Sequence, residues 1–362
     1  MSRGTAAIWF VVFAACFQAG GAEATQLVGF PYASYKPETS LAVGAAGRVF
    51  FRFARTDAAT RNSTVQLTLQ YTFKKQSRVN LSGDFYSPKA SWRLLADNRV
   101  EAFSAVFYPP PGARDVPKEY FADYDWRMFR SDIQGLRRGW GALYAGAGAY
   151  VQDYRLRKWA GRKGYVPGGE YAPGAAGGCI VGPTAVVAYD NRDFPNATSR
   201  GWLLTARVSA FGRGAGSDFS FQWYEADARW ALPVGGADRR WTLANRVFLA
   251  GRSGAPPFWA TPALGGSNLL RGEPEGRARG RWLLAYQSEF RMHWFWRLGG
   301  AVFCDVGDAG HDVADFSRDT TLLTAGAGVR FDLVKTGESV VRIDFGVGKD
   351  YTALYAVMDE AF

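Results

Sequence analysis

The sequence predicts an all-β protein, a transmembrane antiparallel β-barrel of about sixteen strands with its long loops on the surface side. Three observations lead there. A short apolar N-terminal run ends at a small-residue cleavage site, two-residue alternation runs through the rest of the chain without a convincing helix, and the connections alternate between short and long.

Arg3 opens the N-terminus, Ala6–Phe17 is brief and apolar, and Ala22-Glu23-Ala24 is a small-x-small site, so residues 1–24 read as a secretory signal peptide and 25–362 as one barrel domain. A spanning helix needs roughly 20 apolar residues, which this run lacks. Cys16 follows Phe13-Ala14-Ala15 in a weak lipoprotein-like box, but the better site at Ala24 argues against lipidation there.

Strand-like runs then follow at 26–35, 40–55, 62–75, 77–88, 90–107, 121–134, 140–154, 181–190, 201–213, 218–235, 239–253, 281–292, 297–307, 321–333, 340–348 and 352–362. An even number returns both ends to one side of a membrane, and lengths near ten suit tilted membrane strands. Short links are expected at Thr56–Arg61, Ser87–Ala90, Leu136–Gly139, Gly235–Asp238 and His293–Trp296, and long ones at Phe107–Phe121, Arg155–Ile180, Ser253–Gly280 and Asp308–Thr320. Pro37–Thr39, Lys74–Ser77 and Gly214–Ser217 break the pattern as short surface loops.

The faces separate charge from apolar surface. Gln287, Glu289 and Arg291 share one side of 281–292, against Trp282, Leu284, Tyr286, Phe290 and Met292. In the next run Phe303 and Asp305 oppose Leu298, Val302, Cys304 and Val306. In 321–333, Leu323, Ala325, Ala327, Val329, Phe331 and Leu333 alternate with Gly326, Gly328, Arg330 and Asp332; in 340–348, Val341, Ile343, Phe345 and Val347 alternate with Arg342 and Asp344. Glu225, Asp227 and Arg229 likewise oppose Tyr224, Ala226, Ala228, Trp230 and Leu232. Charged and small residues are expected inside, apolar ones against lipid. Asn245 is the misfit, facing lipid beside the inward Arg246. Trp140, Trp202, Trp241, Trp294 and Trp296 are expected in a periplasmic aromatic girdle, and Trp159, Trp259 and Trp282 in a second one at the surface end.

With 48% hydrophobic and 15% aromatic residues, the chain has ample apolar surface, yet none is gathered in a second long run, as sheets require. No linker, low-complexity segment or long-period repeat divides it; a sandwich or propeller is the competing architecture. The formal charge of +10 points to anionic lipopolysaccharide and outer-membrane lipids as partners rather than nucleic acid, which an exported chain rarely meets. Cys179 and Cys304 are too few for a disulfide framework and too separated for a zinc site, and no metal or cofactor is expected. Only His293 and His311 are present, the second beside Asp312; lacking a third group that orients a base, they do not make a hydrolase, and no enzyme activity is expected.

Leu270-Arg271-Gly272, then Gln287-Ser288-Glu289-Phe290-Arg291, then Phe303-Cys304-Asp305-Val306-Gly307 occur in the order of motifs in the surface-antigen barrel superfamily of BamA and the two-partner-secretion transporters, which this chain resembles. Tyr189-Asp190-Asn191-Arg192-Asp193 with Pro195 and Gly201 looks like that family's periplasmic turn. Arg342-Ile343-Asp344-Phe345-Gly346 and Glu360-Ala361-Phe362 look like its last two strands, with Phe362 as the C-terminal assembly signal. The Tyr35-Lys36-Pro37-Glu38-Thr39 opening is similar to members made of the barrel alone, since the sequence leaves no room ahead of it for a polypeptide-transport-associated (POTRA) module.

The resemblance implies a sixth surface loop folded into the lumen, with Arg271 meeting the acids Asp305 and Glu289 on the twelfth and thirteenth strands. A guanidinium in a confined lumen needs carboxylate partners, and a bidentate pair fixes loop geometry better than a point charge. Glu273 stands where the family usually has an aromatic. The implied function is a multi-pass barrel of the bacterial cell outer membrane that assists protein or lipid insertion or translocation. Its own insertion would use the barrel-assembly machinery, and a periplasmic or secreted protein partner is expected but unidentified. A passive pore or structural surface barrel is the alternative, and an outer-membrane hydrolase a third.

Overall fold

The computed structural model describes residues 25–36, 40–53, 60–108, 122–161, 172–235, 240–334 and 339–362. The signal peptide expected over 1–24, the turn at 37–39, most of the 107–121 and 162–171 stretches and parts of the expected 56–61 and 235–238 turns lie outside the described residues. The strands are β1 (Thr25–Lys36), β2 (Ser40–Phe51), β3 (Ser63–Thr72), β4 (Ser77–Tyr86), β5 (Trp92–Phe107), β6 (Ala122–Arg138), β7 (Leu143–Gly161), β8 (Gly178–Asp190) and β9 (Gly201–Phe211). Then come β10 (Phe221–Val234), β11 (Trp241–Gly254), a small ladder of β12 (Ala263–Leu264) and β13 (Ala278–Arg279), and β14 (Trp282–Phe295), β15 (Leu298–Gly310), β16 (Leu322–Asp332), β17 (Val340–Val347) and β18 (Thr352–Met358).

All but β12 and β13 form one 16-stranded sheet in which each strand pairs antiparallel with its neighbour in sequence, β11 with β14 across the inserted loop. Pairing from strand to strand satisfies the backbone groups that lipid cannot. Every expected strand is found, and both ends of the sheet fall on the side of the short turns. The outer face carries Leu67, Leu81, Val100, Phe129, Ile133, Val187, Leu204, Val302, Leu323, Val329 and Phe345, each at least two-fifths exposed. Opposite them, Arg48, Glu101, Gln152, Arg246, Gln287, Glu289, Asp305, Arg342 and Asp344 are buried inside. An apolar exterior around a charged interior is the reverse of a soluble domain and is what hydrocarbon selects.

Several boundaries differ from the sequence reading. β14 runs on through Phe295, which pairs with Leu298 after a bulge, so the turn is Trp296-Arg297 rather than His293–Trp296; Trp296 takes the left-handed conformation (φ 54°). β6 continues through Arg138, with Leu136 paired to Gly146, and the turn moves from Leu136–Gly139 to 139–142, where Gly141 has φ 60°. β7 reaches Gly161 rather than 154. Leu333, past the end of β16, is buried with Val334 instead of facing lipid.

The surface-end girdle is also corrected. A bulge places Asp125 opposite Lys158 and Trp126 opposite Leu156, leaving Arg157 unpaired and reversing the facing of the residues after it. Trp159 therefore points inward, 5.0 Å from Tyr124 between ring centroids, and Trp259 stacks on Tyr154 at 4.9 Å within the same interior aromatic cluster. At the periplasmic end Trp140, Trp202, Trp241, Trp294 and Trp296 are all exposed. Asn245 does lie on the outer face, but Tyr286 covers it, its hydroxyl donating to Asn245 Oδ1 at 2.9 Å, so the amide is screened from lipid.

The last strand stops at Met358, four residues before the expected end, and Asp359–Phe362 turns into the lumen. β18 and β1 lie side by side, yet no backbone ladder joins them. Val341 and Met358 face outward by register but are only 7% and 8% exposed, against 50% for Phe345 on the same face. They share a buried cluster with Val28 and Phe30 from the inner face of β1. The two edges therefore overlap, β1 outside and β18 within.

Candidate functional site

The connection from β11 to β14 dips into the barrel. Its course is fixed by backbone that side chains would block: Leu270 has φ 63° and Gly272 φ 114°, and a Cβ on Gly272 would lie 2.8 Å from the Val347 amide nitrogen. Gly346 is equally constrained, since its Cβ would meet the Arg271 carbonyl at 2.7 Å. The loop is laid directly on the β17 backbone, and only glycine on both sides permits that approach.

Arg271 is fully buried. Its Nε and NH2 donate to Asp305 Oδ2 and Oδ1, each at 3.1 Å, and its own backbone N–H donates to Asp305 Oδ2 at 3.1 Å. NH1 is shared between Glu289, in a very short contact, and Asp344 Oδ2 at 3.2 Å. The guanidinium lies 3.5 Å from the centroid of the Phe303 ring, a cation–π contact in a dry setting. Gly307 completes the strand motif by leaving room: a Cβ there would stand 3.0 Å from the Leu264 and Leu270 side chains. Leu270 fills that space in a cluster with Leu264, Leu283 and Ala285. Burial alone would lower the Arg271 pKa, but Glu289 and Asp305 overcome it and hold the guanidinium above its ordinary value.

The network reaches further than the three residues singled out from sequence. Arg330 bridges Glu289 (3.1 Å), Asp344 (2.5 Å) and Glu360 (2.9 Å); Arg291 pairs with Glu289 at 2.8 Å and lies 3.7 Å from Glu360; Arg342 meets Asp344 and donates to the Ser267 carbonyl at 2.8 Å. Four arginines thus face four carboxylates, so the cluster is neutral and each charge is compensated where water is excluded. Asp344, Arg330 and Arg342 were legible as inward residues, and Glu360 only as part of the last strand, but none as a partner, because their contacts cross the barrel.

Glu273, where an aromatic was expected, is buried too: its Oε1 accepts from the Lys349 backbone N–H at 3.1 Å and its Oε2 lies 3.5 Å from Arg277. Burial pushes its carboxyl above the ordinary value, against the pull of Arg277. The loop is therefore anchored at its tip by a carboxylate and by Tyr355, whose hydroxyl accepts from Gly272 N–H at 3.2 Å.

Phe362 does not extend the last strand toward lipid. It is 7% exposed, packs with Ala231 and Ala244, and its carbonyl accepts from Arg291 NH2 at 3.1 Å. The periplasmic turn after β8 closes the same end: Asp190 binds Arg61, Arg93 and Arg192 at 3.0–3.2 Å, Asp193 Oδ1 accepts three backbone amides, and the Asn196 carbonyl accepts from Glu360 N–H at 3.1 Å. His293 Nε2 lies 3.1 Å from the Trp296 carbonyl, and the Asp312 side chain caps a short turn rather than orienting His311.

Residues 184–350, from within β8 to just past β17, match the family model of the Omp85 superfamily domain. That stretch contains the lumenal loop and the three strands bearing its acids. No curated protein matches the sequence. Among solved structures, BamA from Haemophilus ducreyi lacking POTRA domains 1–3 is similar at a TM-score of 0.56 and 13% identity, over 93% of this chain and 69% of that one. CdiB from Acinetobacter baumannii is similar at 0.59 and 11% identity, over 93% of this chain, which spans only 59% of CdiB. At such identities these likenesses speak for the fold. With the domain match, they identify the chain as an outer-membrane barrel carrying an Omp85 superfamily domain.

Proposed function

We propose that this barrel assists the insertion or translocation of proteins across the outer membrane through the seam between β1 and β18. The observation that carries the reading is that seam. Every other stave is laddered to two neighbours, whereas the facing edges of β1 and β18 overlap without pairing. An unpaired edge is a template for an incoming strand, and a membrane protein has no reason to leave one unless it is used. The lumenal loop fits the same reading: pinned to β14, β15 and β17, it braces the wall beside the seam while blocking an open pore. Leu270, Arg271 and Gly272 are the bracing residues, Asp305 and Glu289 their acidic partners, and Phe303 and Gly307 the floor. Phe362 belongs to the tail that must leave the lumen if β18 is to move outward.

In this reading the chain is non-enzymatic, contacts outer-membrane lipids and lipopolysaccharide, and relies on the barrel-assembly machinery for its own insertion. Val28→Cys with Met358→Cys, in one cluster across the seam, gives the test. Liposomes holding the protein should fold a urea-denatured outer-membrane barrel faster than protein-free liposomes. Oxidising the cysteine pair should abolish the gain, and reduction should restore it. Equal folding rates with and without the protein, together with steady single-channel conductance, would favour the passive pore.

A further inference from the structure

The outer face of the β6–β7 hairpin carries a cluster of cations of which, among the described residues, only Arg155 has an ion-pair partner. Arg127 and Arg155 stand directly opposite each other in register, and both point out of the barrel. Like charges so placed repel and weaken the strand pair. Arg155 Nε has one carboxylate, Asp153 at 2.9 Å, while the Arg155 side chain remains 76% exposed. Among the described residues no carboxylate forms an ion pair with Arg127, Arg157 or Lys158. The bulge adds to the crowding. By inserting Arg157 it turns that residue and Lys158 to the same outer side, so four cations stand within two outer-face rungs of the ladder, with Asp153, Asp125 and Asp123 as the nearby acids. Asp125 is itself engaged, accepting from Ser104 Oγ at 2.5 Å.

Height decides what this cluster meets. Below it the same face is mostly apolar, with Phe129 and Ile133 exposed and Val100 beside Phe129 on β5; Asp153 stands opposite Phe129, and the Ser131 hydroxyl is satisfied by Asn98. From Phe129 to the strand end at Arg138, at about 3.4 Å per residue and a tilt near 40°, the chain climbs about 23 Å, close to the roughly 25 Å apolar band of an outer-membrane barrel. Arg127 and Arg155 therefore sit at the boundary where the hydrocarbon of the outer leaflet gives way to headgroups. Cations at that level have anionic headgroups as their natural partners, and arginine forks match phosphate oxygens.

We propose that Arg127, Arg155, Arg157 and Lys158 form a binding site for the phosphate groups of an outer-leaflet glycolipid, the phosphorylated disaccharide of lipopolysaccharide, on the lipid-facing wall of β6 and β7. The site rests on the barrel spanning an outer membrane but not on the β1–β18 seam, so it stands or falls apart from the translocation reading.

The full chain, folded in neutral detergent and checked as a barrel by its heat-modifiable migration, is titrated with bisphosphorylated lipid A. Binding is counted by native mass spectrometry. The triple variant Arg127→Gln/Arg155→Gln/Lys158→Gln removes no interior contact and should fold; it should bind lipid A at least tenfold more weakly. Arg213→Gln, a surface cation outside the cluster, should bind like the parent. Dephosphorylated lipid A should bind the parent no better than it binds the triple variant. Equal affinity of parent and triple variant for lipid A, or equal affinity of the parent for the dephosphorylated lipid, overturns the site. Displacement of lipid A by equimolar inorganic phosphate would show a water-facing anion site and overturn its place at the lipid boundary.

Discussion

Replacing Arg271 with alanine should undock the lumenal loop while leaving the barrel intact. The magnitude follows from who is left without a partner. Glu289 keeps Arg291 and Arg330, and Asp344 keeps Arg330 and Arg342, but Asp305 loses both guanidinium contacts and retains only the amide of residue 271. One buried carboxylate without its cation costs about 3–5 kcal/mol, which is a fall of roughly two to four orders of magnitude in loop protection at about 1.4 kcal/mol per tenfold. Asp305→Ala should cost less, about 1–3 kcal/mol, because Arg271 keeps Glu289 and Asp344. Hydrogen exchange of the peptide covering 264–280, read by mass spectrometry in folded protein, measures each. The double variant should be less impaired than the sum, since removing both charges relieves the stranded one. Strict additivity, or less than a tenfold change in exchange for Arg271→Ala, would refute the reasoning and reduce Arg271 to a loop cation.

Glu273→Gln keeps the acceptor for the Lys349 amide and removes a charge that burial disfavours. A carboxyl whose pKa is raised on folding adds stability below its unfolded pKa and loses it as pH rises through the folded one, so loop protection in the parent should grow from pH 7 toward pH 4 by more than in Glu273→Gln; identical profiles would mean the carboxyl is not strained. A membrane-impermeant maleimide should label Arg99→Cys, which lines an interior cavity of about 440 Å³, faster than Cys304, which faces lipid; the reverse order in intact membranes would invert the facing. Deleting Arg157 removes the bulge but leaves Leu156 inward and Lys158 outward in plain alternation, so Trp159 should stay inward beside Tyr124 and its fluorescence unquenched by lipid-borne bromine, whereas quenching would show that its facing does not follow from strand alternation.

Much of the fold was legible because a membrane wall enforces two-residue alternation along every stave. Leu323 and Arg330, or Cys304 and Asp305, announce their faces without any tertiary information. Strand ends were less legible. His293-Trp294-Phe295-Trp296 contains no glycine or proline to mark a turn, so aromatic residues that continue β14 read as its end. Trp159 was misplaced because one inserted residue reverses every later facing, and nothing in the sequence distinguishes Arg157 as the bulge. Alternation also carried the last strand to 362, whereas Arg291 and the Asn196 carbonyl draw the tail inward through contacts far away in sequence. Arg271 could be matched to acids on the two strands that follow it, but Asp344, on a strand 73 residues away, joins only when the barrel closes.

The seam can be measured directly. Spin labels at Leu27 on β1 and Ala356 on β18, both on the outer face, report its width in lipid nanodiscs by double electron–electron resonance. Labels at Leu67 and Leu81, directly paired on β3 and β4, give the reference for a laddered pair. A working seam gives the first pair a second, longer distance population that the reference lacks, and the Val28→Cys/Met358→Cys bridge removes it. A single narrow distance for both pairs, unchanged by the bridge, would show a sealed barrel and contradict translocation through the wall.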